Sequence, residues 1–532
     1  MSKHILSPAS LPPAKRTHVG GPSASASHTK LAVTFESALF DELIIHIFAH
    51  VSWVDLCRTQ STSRNWSRLA SDNELWKTLY LSTFGRSRLR GTRGFVQRAD
   101  GREVRPLPGR MPSDSDDSEF RNWKWMFRIS RNWKTGRCAI EDIGTSDEGR
   151  THMLLAGSLT ISASEPLSLC PKVELRTPQA SYTLLCRGTT PNVPLRITAL
   201  ALDHSPPHGG HVHVAVFTSD GSFTLCSVDQ SYLPASRRTL TYIPLRSASS
   251  RVIKAAYHHP LLVTLSDVFT LSIYDVSSNP VQLTQTLTSF TSYPPTSLVL
   301  SITPARTYKL VIAFSIPVYP AHWSVGATEV MITGLGSNSA DPEGMLLPSM
   351  TVLSTRTIRT IDVPQGWIDE RKLRNMRDQW NRKVSRVADT ETDGKWLVLA
   401  PEAQPPSPHS PSSSRSSTPV TPTVLQLYRL SLPAAKSIAS SPPKLTFVRE
   451  LHGPIGPVLA LSLADGRCVS LGKNGSIWVW DLETGSGAEV ALPNDDMISA
   501  PAQDADAGCV AFDERKIITA VAGKIMIRRF DV

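Results

Sequence analysis

The spacing of hydrophobic positions divides the chain into two regions. Between Leu39 and Phe84, apolar residues recur every three or four positions, which is the period of an amphipathic helix. Beyond residue 150 the period becomes two, and short runs rich in Val, Ile, Leu and Thr alternate with Asp-Gly, Asn-Gly and Ser-Asp turns. The pattern therefore predicts a small helical module followed by a large antiparallel β domain.

The first predicted helix has more apolar surface than its own module can cover. Its apolar positions form two adjoining stripes, Leu39, Leu43 and Ile47 in one and Ile44, Phe48 and Val51 in the other. Together they span more than half of the helix circumference. A helical segment of roughly 45 residues cannot bury two such faces within itself, so we expect the surplus to contact the rest of the chain or another protein.

Capping signals and a second apolar segment extend the helical region. Ser52 with Asp55, and Ser71 with Glu74, have capping-box spacing, so three or four short helices are expected. Residues 120–137 predict one more helix, which is apolar on two sides. Its stripes are Trp125, Ile129 and Trp133 on one side and Phe120, Trp123 and Phe127 on the other. With Gly136 near its end, this helix is suited to be a rigid strut between two domains.

The β region has the repeat length of a propeller. Comparable strand ends fall at Asp229, Asp275, Arg429, Asp481 and Asp531. The spacing is 46 residues for the first pair and then 52 and 50 for the last two, near the ~40 to 45 residues of a propeller blade with somewhat long loops. The gap of 154 residues between Asp275 and Arg429 leaves room for two further blades plus insertions. We therefore predict seven blades, with six as the alternative.

Polar segments set the predicted domain boundaries. These are a disordered tail at 1–34, the helical module at 35–84, a flexible insertion at 85–119, the linker helix at 120–137 and the β domain at 138–532. Within the β domain, residues 401–423 lack aromatic residues and predict a disordered loop. Ser407, Ser410, Thr418 and Thr421 each precede proline there, so they are candidate sites of proline-directed phosphorylation.

The net charge of +10 is concentrated in two stretches. Residues 86–110 contribute +6 and residues 371–383 contribute +5, which leaves the rest of the chain close to neutral. We interpret both stretches as solvated insertions; the alternative is a phosphate-binding patch on a nucleic-acid-associated protein. The seven cysteines form no Cys-x-x-Cys pair and follow no secretory signal, so we expect free thiols in the cytoplasm, the nucleus or both. No apolar run approaches the roughly 18 residues needed to cross a bilayer.

Residues 39–80 resemble an F-box. The stretch LFDELIIHIFAHVSWVDLCRTQSTSRNWSRLASDNELWKTLY follows the family's order of L-P-x-E-L, an apolar helix, D-L-C/L, R-x-W and D-x-x-L-W-K. The matching positions are Leu39, Glu42, Leu43, Ile47, Phe48, Asp55, Leu56, Trp66, Leu69, Asp72, Leu75 and Trp76. Phe40 departs from the pattern, because the family usually has proline there, which preforms the first helical turn.

The F-box resemblance implies a docking surface for the small Skp adaptor of a cullin-RING ubiquitin ligase. The residues expected on this surface are Leu39, Phe40, Leu43, Ile44, Ile47, Phe48, Val51 and Leu56. Trp66, Leu69 and Ala70 are expected to pack inside the module instead. Large apolar anchors would supply most of the binding energy of such a surface.

Residues 456–485 resemble a WD repeat, with Trp480 and Asp481 as its signature pair. The segment RNWKTGRC at 131–138 looks like the junction between the F-box and the propeller of F-box/WD proteins. In WD propellers the Trp-Asp pair ends the third strand of a blade, and Phe530-Asp531 falls at that place. We therefore expect a strand from within 138–165 to pair beside Ile525 to Arg529, so that the ring closes without an open edge.

These resemblances imply a small all-α F-box module followed by an all-β propeller, in a non-catalytic substrate receptor of a Skp-cullin-F-box (SCF) ubiquitin ligase. The F-box would dock the Skp adaptor, and through it the cullin, while the propeller would bind an unidentified protein substrate. The alternative is an F-box/propeller scaffold that acts with the Skp adaptor without ubiquitylation. Relatives that read phosphorylated substrates use arginines on one rim, so Arg196 and Arg251, at predicted strand starts, are the candidate substrate-binding residues.

No catalytic or metal-binding pattern competes with this interpretation. The sequence has no G-x-S-x-G, H-E-x-x-H, Walker or dinucleotide-binding motif, so no catalytic residue and no cofactor are predicted. His204, His208, His211 and His213 lie close together, but no cysteine or acid lies between them, and we predict no metal site. Trp478 and Trp480 lie two apart on a strand and are expected to pack within the propeller.

Overall fold

The computed structural model describes most of the chain. The described residues are 35–84, 122–145, 151–164, 166–186, 193–205, 210–244, 250–277, 279–303, 307–318, 321–334, 350–361, 368–402, 422–432, 442–493, 508–521 and 523–532. The predicted tail 1–34, the predicted insertion 85–119 and residues 403–421 of the predicted loop lie outside them, together with Ser407, Ser410, Thr418 and Thr421. No helix among the described residues is long and apolar enough to span a membrane.

Seven helices lie in the described residues, six of them before the first strand. They are α1 (Phe35–Ala38), α2 (Asp41–Phe48), α3 (Trp53–Thr59), α4 (Arg64–Leu69), α5 (Asn73–Phe84), α6 (Trp123–Thr135) and α7 (Glu370–Asn381). The chain forms two compact units, and the boundary between them falls between Leu75 and Trp76. The predicted change from helical to extended structure is confirmed.

Capping side chains set the starts of the short helices in the first unit. The hydroxyl of Ser52 accepts a hydrogen bond from the backbone N–H of Asp55 at 3.3 Å, as the sequence predicts for α3. The prediction that Ser71 caps the next helix is wrong by one residue, because Asp72 Oδ1 accepts the N–H of Leu75 at 3.0 Å. A carboxylate is a favourable cap there, since its charge opposes the positive end of the helix dipole.

The β region consists of seven four-stranded antiparallel sheets in the described residues, which we number as blades. Blade 1 is β2 (Thr151–Ala156), β3 (Leu159–Ser164), β4 (Lys172–Arg176) and β5 (Ser181–Leu185); blade 2 is β6 (Ile197–Leu202), β7 (His211–Thr218), β8 (Phe223–Asp229) and β9 (Arg237–Tyr242); blade 3 is β10 (Val252–His258), β11 (Leu261–Ser266), β12 (Thr270–Asp275) and β13 (Gln282–Thr288). Blade 4 is β14 (Tyr293–Ile302), β15 (Thr307–Val318), β16 (His322–Gly334) and β17 (Met350–Arg359); blade 5 is β18 (Val387–Thr392), β19 (Trp396–Pro401), β20 (Leu425–Ser431) and β21 (Lys444–Leu451); blade 6 is β22 (Val458–Ala464), β23 (Arg467–Gly472), β24 (Ile477–Asp481) and β25 (Ser486–Ala491). Blade 7 is β26 (Gly508–Phe512), β27 (Lys516–Val521), β28 (Lys524–Arg529) and β1 (Ala139–Thr145).

The seven sheets form a closed propeller around a central axis. The first strands of successive blades contact one another in the order β2, β6, β10, β14, β18, β22 and β26, and β26 contacts β2. Apolar side chains fill the space between neighbouring blades; one such cluster joins blades 3 and 4 and another joins blades 6 and 7. The predicted seven-bladed, all-antiparallel architecture is confirmed.

Blade 7 is completed by a strand from the other end of the domain, as predicted. Strand β1 pairs antiparallel with β28, with Ala139 opposite Arg529 and Thr145 opposite Lys524. The outer edge of β28 is therefore covered, and the ring has no unpaired junction between its first and last blades.

The expected distribution of blades along the chain is wrong in one place. The long interval between Asp275 and Arg429 contains one complete blade, blade 4, and not two. The strands of blade 4 have 10 to 13 residues, and α7 follows them, so the extra length enlarges one blade instead of adding another. The seventh blade is blade 1, at residues 151–185, which has no strand end comparable to those of the other blades.

Helix α6 has the two apolar sides that its sequence predicts, and within the second unit each side has its own partner. On one side, the Trp123 ring lies 5.5 Å from that of Tyr80, and the Phe127 ring lies 5.4 Å from those of Trp76 and Phe84. The helix is capped by Asn122, and the predicted stripe member Phe120 lies outside the described residues. Residues 76–84 and α6 therefore form one packed pair.

The other side of α6 is fixed to blade 7. The Trp133 ring stacks on Phe530 at 3.9 Å, and its Nε1 donates a hydrogen bond to the carbonyl oxygen of Glu514 at 2.8 Å. Asn132 Nδ2 donates to the carbonyl oxygen of Phe530 at 2.9 Å. The helix ends at Gly136, whose φ of +70° and close approach to a backbone carbonyl exclude a side chain.

Candidate protein-binding surfaces

Three apolar side chains form an exposed ridge on the first unit. Phe40, Leu43 and Ile47 are 78%, 50% and 43% exposed, and their i, i+3, i+7 spacing places them along one side of α2. Apolar side chains of this size normally retain far less exposure when they belong to a core. The ridge is the part of the predicted Skp-adaptor surface that a partner can reach directly, and Leu39 and Val51 beside it are half-buried.

The remaining members of the predicted adaptor surface lie inside the module. Ile44, Phe48 and Leu56 are buried, so the prediction that their side chains belong to an exposed surface is corrected. The Phe48 ring packs edge-on against Trp66 at 5.7 Å. Their role is to hold α2 in place, so that the opposite stripe of the same helix faces outward.

Polar contacts hold the helices of the first unit in register. Asp41, at the start of α2, forms an ion pair with Arg68 of α4. Gln60 Nε2 donates a hydrogen bond to the carbonyl oxygen of Ala70 at 2.9 Å. Leu69 and Ala70 are buried and Trp66 is half-buried against aromatic neighbours, so these three residues pack internally as the sequence predicts.

The propeller has two faces, and α6 contacts only one of them. Helix α6 reaches Glu514, in the turn between the first and second strands of blade 7. In an antiparallel meander, that turn lies at the opposite edge from the start of the first strand and from the turn between the second and third strands. We name the edge at the start of the first strands the upper face, and the edge that contacts α6 the lower face.

Arg196 and Arg251 lie on the upper face at equivalent positions of blades 2 and 3. The backbone N–H of Arg196 donates to Ser219 Oγ at 3.2 Å, and the N–H of Arg251 donates to Asp267 Oδ1 at the same distance. Both side chains are half-buried, and each precedes the first strand of its blade. Their positions match the predicted strand starts, and their assignment as substrate-binding residues stays a prediction.

Exposed apolar side chains are concentrated on the upper face. In the described part of the second unit, most of the exposed large apolar residues lie in the connections between blades or in the turns between second and third strands. Phe290, in the connection between blades 3 and 4, is 88% exposed. Also exposed are Val268 in the turn between β11 and β12, Tyr293 at the start of β14, and Leu373 and Trp380 on α7. The upper face therefore has the composition of a protein-binding surface.

A polar network crosses the central channel of the propeller. The channel has a volume of about 570 Å³ and is lined by the first strands of the blades. Glu391 accepts hydrogen bonds from Lys254 Nζ at 3.2 Å and from Ser297 Oγ at 2.5 Å, which links blades 3, 4 and 5. Burial, and then the charge of Glu391, raise the pKa of the neighbouring Asp389 to about 6. Because Lys254, Ser297 and Glu391 are hydrogen-bonded to one another, they join the blades, and we assign them a structural role instead of ligand binding.

The tryptophan pair and the histidine-rich segment make contacts within the propeller. Trp480 is buried and Trp478 half-buried, with stacked rings 6.0 Å apart, so both pack within the propeller as predicted. His213 Nδ1 lies 3.6 Å from Asp203, an acid that precedes the histidine-rich segment, and His208 lies outside the described residues. Within the described residues, no group of three His, Cys, Asp or Glu side chains is placed to hold a metal ion.

Two protein-family models match the chain. A model described as F-box-like matches residues 41–82, which contain Leu43 and Ile47 of the exposed ridge and begin directly after Phe40. A model described as the β-propeller of F-box protein pof12 matches residues 172–340, from blade 1 into the region after β16. The two matches fall in separate parts of the chain and agree with the helical and β regions of the structure.

Similar curated proteins share a short part of their length with this chain. A protein of Arthroderma otae called "Probable E3 ubiquitin ligase complex SCF subunit sconB" is 30% identical over 127 residues, which is 20% of this chain and 18% of that protein. The protein of the same name from Arthroderma benhamiae is 28% identical over a match of the same length and coverage. The chain thus spans less than a fifth of the length of these relatives.

Solved structures show a remote likeness. A chain in the complex of KlAtg21 with the coiled coil of AgAtg16 has a TM-score of 0.37 and 10% identity, covering 70% of this chain and 91% of that chain. The structure of U3-55K has the same TM-score and identity, covering 73% of this chain and 98% of that chain. These scores are too low to support an inference, so the fold assignment depends on the strand order and the family matches.

Proposed function

We propose that this chain, in which a segment matching the F-box-like model precedes a seven-bladed β-propeller, is the substrate-recognition subunit of an SCF-type ubiquitin ligase. The F-box docks the Skp adaptor and, through it, the cullin. The upper face of the propeller binds the protein that is to be ubiquitylated. The protein itself is non-catalytic, and it acts by raising the effective concentration of the substrate near the ubiquitin-charged enzyme.

The exposed ridge on α2 is the observation that carries the proposal. Leu43 and Ile47 lie within the residues that match the F-box-like model and Phe40 directly precedes them, and the apolar side chains of all three face solvent. An interface of standard size buries about 1,600 Å² in total and depends on a few large apolar anchors, which this ridge supplies. The sconB relatives are named as probable SCF subunits, which supports the same assignment.

The packing of α6 supports the receptor role. Helix α6 contacts residues 76–84 on one side and blade 7 on the other through large aromatic side chains. A helix fixed in this way has few low-energy alternative positions relative to the propeller, because interdigitated aromatic rings do not slide freely. A rigid support favours the transfer of ubiquitin, since effective concentration falls as the linkage between the two sites becomes slack.

Affinity capture tests the proposal. The full chain is expressed with the proteasome inhibited and compared with a Leu43→Asp, Ile47→Asp variant. A Leu167→Asp, Leu169→Asp variant serves as the matched control, since it places two carboxylates at exposed apolar positions of the propeller. We expect the Skp adaptor and cullin to be lost only from the first variant. Adaptor without cullin would indicate a scaffold instead, and adaptor retained by all three proteins would contradict the docking role of the ridge.

A further inference from the structure

Blade 4 projects beyond the other blades at the upper face. Its strands have 10 to 13 residues, whereas those of the other blades have 5 to 8. Strands β15 and β16 remain paired up to Val318 and His322, but β14 reaches only as far as Ser315 and β17 only as far as Gly326. The end of this hairpin therefore extends about 10 Å past its neighbours, at about 3.3 Å for each residue.

Helix α7 is attached to the projecting hairpin. After the helix, Val384 and Trp323 exchange two backbone hydrogen bonds of 2.9 and 2.7 Å. The carbonyl oxygen of Arg382 accepts a hydrogen bond from Gln426 Nε2 at 2.9 Å, and the Arg382 guanidinium lies 4.5 Å from the ring centre of Phe447. The C-terminal end of α7 is thus fixed to blades 4 and 5, and its position on the upper face is defined.

Apolar side chains along α7 remain accessible. Leu373, Met376 and Trp380 have the i, i+3, i+7 spacing of one helix face, and Leu373 and Trp380 are 39% and 40% exposed. The hairpin that Val384 joins carries further aromatic side chains, because the Trp323 ring lies 5.6 Å from Tyr293, which follows the exposed Phe290. We name the surface formed by Phe290, Tyr293, Trp323, Leu373 and Trp380 the blade 4 platform.

Positive charge borders the platform. Residues 368–386 contain seven basic residues and three acidic ones. Two of these acids are engaged locally, since Asp369 caps α7 and Glu370 pairs with Arg374 at 3.1 Å. Among the described residues, Arg377 has no ion-pair partner, and Lys383 Nζ lies 4.7 Å from the centre of the Trp380 ring. Arg371 lies on the opposite side of the helix from Leu373, Met376 and Trp380. Arg377 lies next to the apolar face of the helix, and Lys372 lies on the other side of that face.

We propose that the blade 4 platform binds an acidic segment of the captured protein, one in which apolar anchor residues are flanked by Asp or Glu. This inference rests on the proposed function, because it assigns the partner to the substrate-binding face. Apolar anchors would fill the positions around Phe290 and Trp380, and the flanking acids would pair with Arg377 and Lys383. Charge complementarity of this kind sets partner choice and association rate.

A protein segment fits the platform better than a membrane surface does. Membrane-surface helices insert a broad apolar face, whereas α7 has three large apolar positions among its 12 residues. The other aromatic members of the platform include Phe290, in the connection between blades 3 and 4, and Tyr293, at the start of β14, so the anchors are distributed over a folded surface. Separate aromatic anchors with charged residues at the rim are typical of protein interfaces.

Selection from a random-peptide display library tests the proposal on the full chain. Wild type is compared with Arg377→Glu, Lys383→Glu, with Trp380→Ala, and with the control Arg237→Glu, Arg238→Glu, whose exposed arginines begin β9 at the lower face. Binding to vesicles of phosphatidylserine and phosphatidylcholine is measured in parallel. Thermal unfolding of each variant, and capture of the Skp adaptor, report whether fold and F-box function are intact.

We expect wild type and the control to enrich peptides rich in Asp and Glu around apolar residues. The selected peptides should bind about tenfold more weakly to the Arg377, Lys383 variant and about 30-fold more weakly to Trp380→Ala. Enrichment without acidic bias, equal binding by all variants, no enrichment at all, or binding to the vesicles alone would overturn the proposal. Loss of adaptor capture with peptide binding retained would instead count against the proposed function.

Discussion

Replacing Phe40, Leu43 and Ile47 together with alanine should abolish adaptor capture while leaving the fold of the first unit intact. The three side chains are already 78%, 50% and 43% exposed, so their removal takes little apolar surface out of the module's own core. The same exposure is what a docked adaptor would cover. The substitution therefore separates binding from stability.

The size of the effect follows from the exposed fractions. Complete burial of a Leu, Ile or Phe side chain is worth about 1.5 to 3 kcal/mol, so covering what remains exposed contributes about 2 kcal/mol for Phe40 and about 1 kcal/mol each for Leu43 and Ile47. The total of about 4 kcal/mol corresponds to a roughly thousandfold increase in Kd, at about 1.4 kcal/mol for each factor of ten. Single substitutions should therefore rank with Phe40→Ala as the most damaging.

Isothermal titration or surface plasmon resonance with purified Skp adaptor measures this directly. Phe290→Ala is the matched control, because Phe290 is an equally exposed aromatic residue on the propeller, and its loss should leave adaptor affinity unchanged. Ile44→Ala is the converse control. That side chain is buried, so its truncation should lower the free energy of unfolding by about 2 to 5 kcal/mol. An alanine triple variant that binds the adaptor within threefold of wild type would refute the reasoning.

Three further predictions concern the propeller. Deleting residues 139–145 should expose the edge of β28, and we expect loss of the single cooperative melting transition by calorimetry; a melting temperature within 2 °C of wild type would contradict closure by β1. Trp133→Ala should cost about 3 to 5 kcal/mol in chemical denaturation, because the ring is buried against Phe530, with Trp133→Phe intermediate; equal losses for the two would indicate that the stack contributes little. Burial raises the pKa of Asp513 to about 6, so the stability that its neutral form contributes is complete below about pH 4 and is lost as pH rises through 6. Asp513→Asn keeps an oxygen to accept the N–H groups of Arg515 and Lys516 and should gain about 3 kcal/mol relative to wild type between pH 4 and pH 8; a difference that does not vary with pH would refute this.

Periodicity identified the elements of the F-box module but not the inward side of α2. Both stripes of that helix are apolar, so the sequence offers no local signal that Ile44 and Phe48 face inward while Leu43 and Ile47 face outward. The distinction is set by tertiary packing, since the Trp66 ring lies against Phe48. Helical period predicts that a face is apolar, and only the neighbouring elements decide which face is covered.

The number of blades was predictable, and their positions were only partly so. Blade 1 has strands of five or six residues, and its third strand, KVELR, ends in Arg176 without the Trp-Asp signature, so it gave no strand-end signal. Blade 4 gave the opposite problem, because its doubled strand lengths resemble the content of two blades. Closure by β1 was predictable, since a chain whose last blade ends on its third strand needs an outer strand from elsewhere.

Helix α7 is a helix that the sequence-based prediction misses, because its residues stand out by their charge. The charge of the basic residues at 371–383 predicts a solvated insertion, yet Asp369 has the position of an N-cap, three residues before Lys372. Leu373, Met376 and Trp380 also follow helical spacing. These two signals together would have identified the helix, whereas its attachment to Trp323 depends on the projecting hairpin and has no local signature.

The pairing of β1 with β28 imposes an order on synthesis of the protein. Strand β1 leaves the ribosome early, but its partner begins only at Lys524, almost 380 residues later. At about 5 to 20 residues per second, roughly 20 to 80 seconds pass before the ring can close. Throughout that interval β1 lacks the strand that it pairs with. Chaperone protection is therefore needed most before β28 is synthesised, and a prematurely terminated chain keeps β1 unpaired.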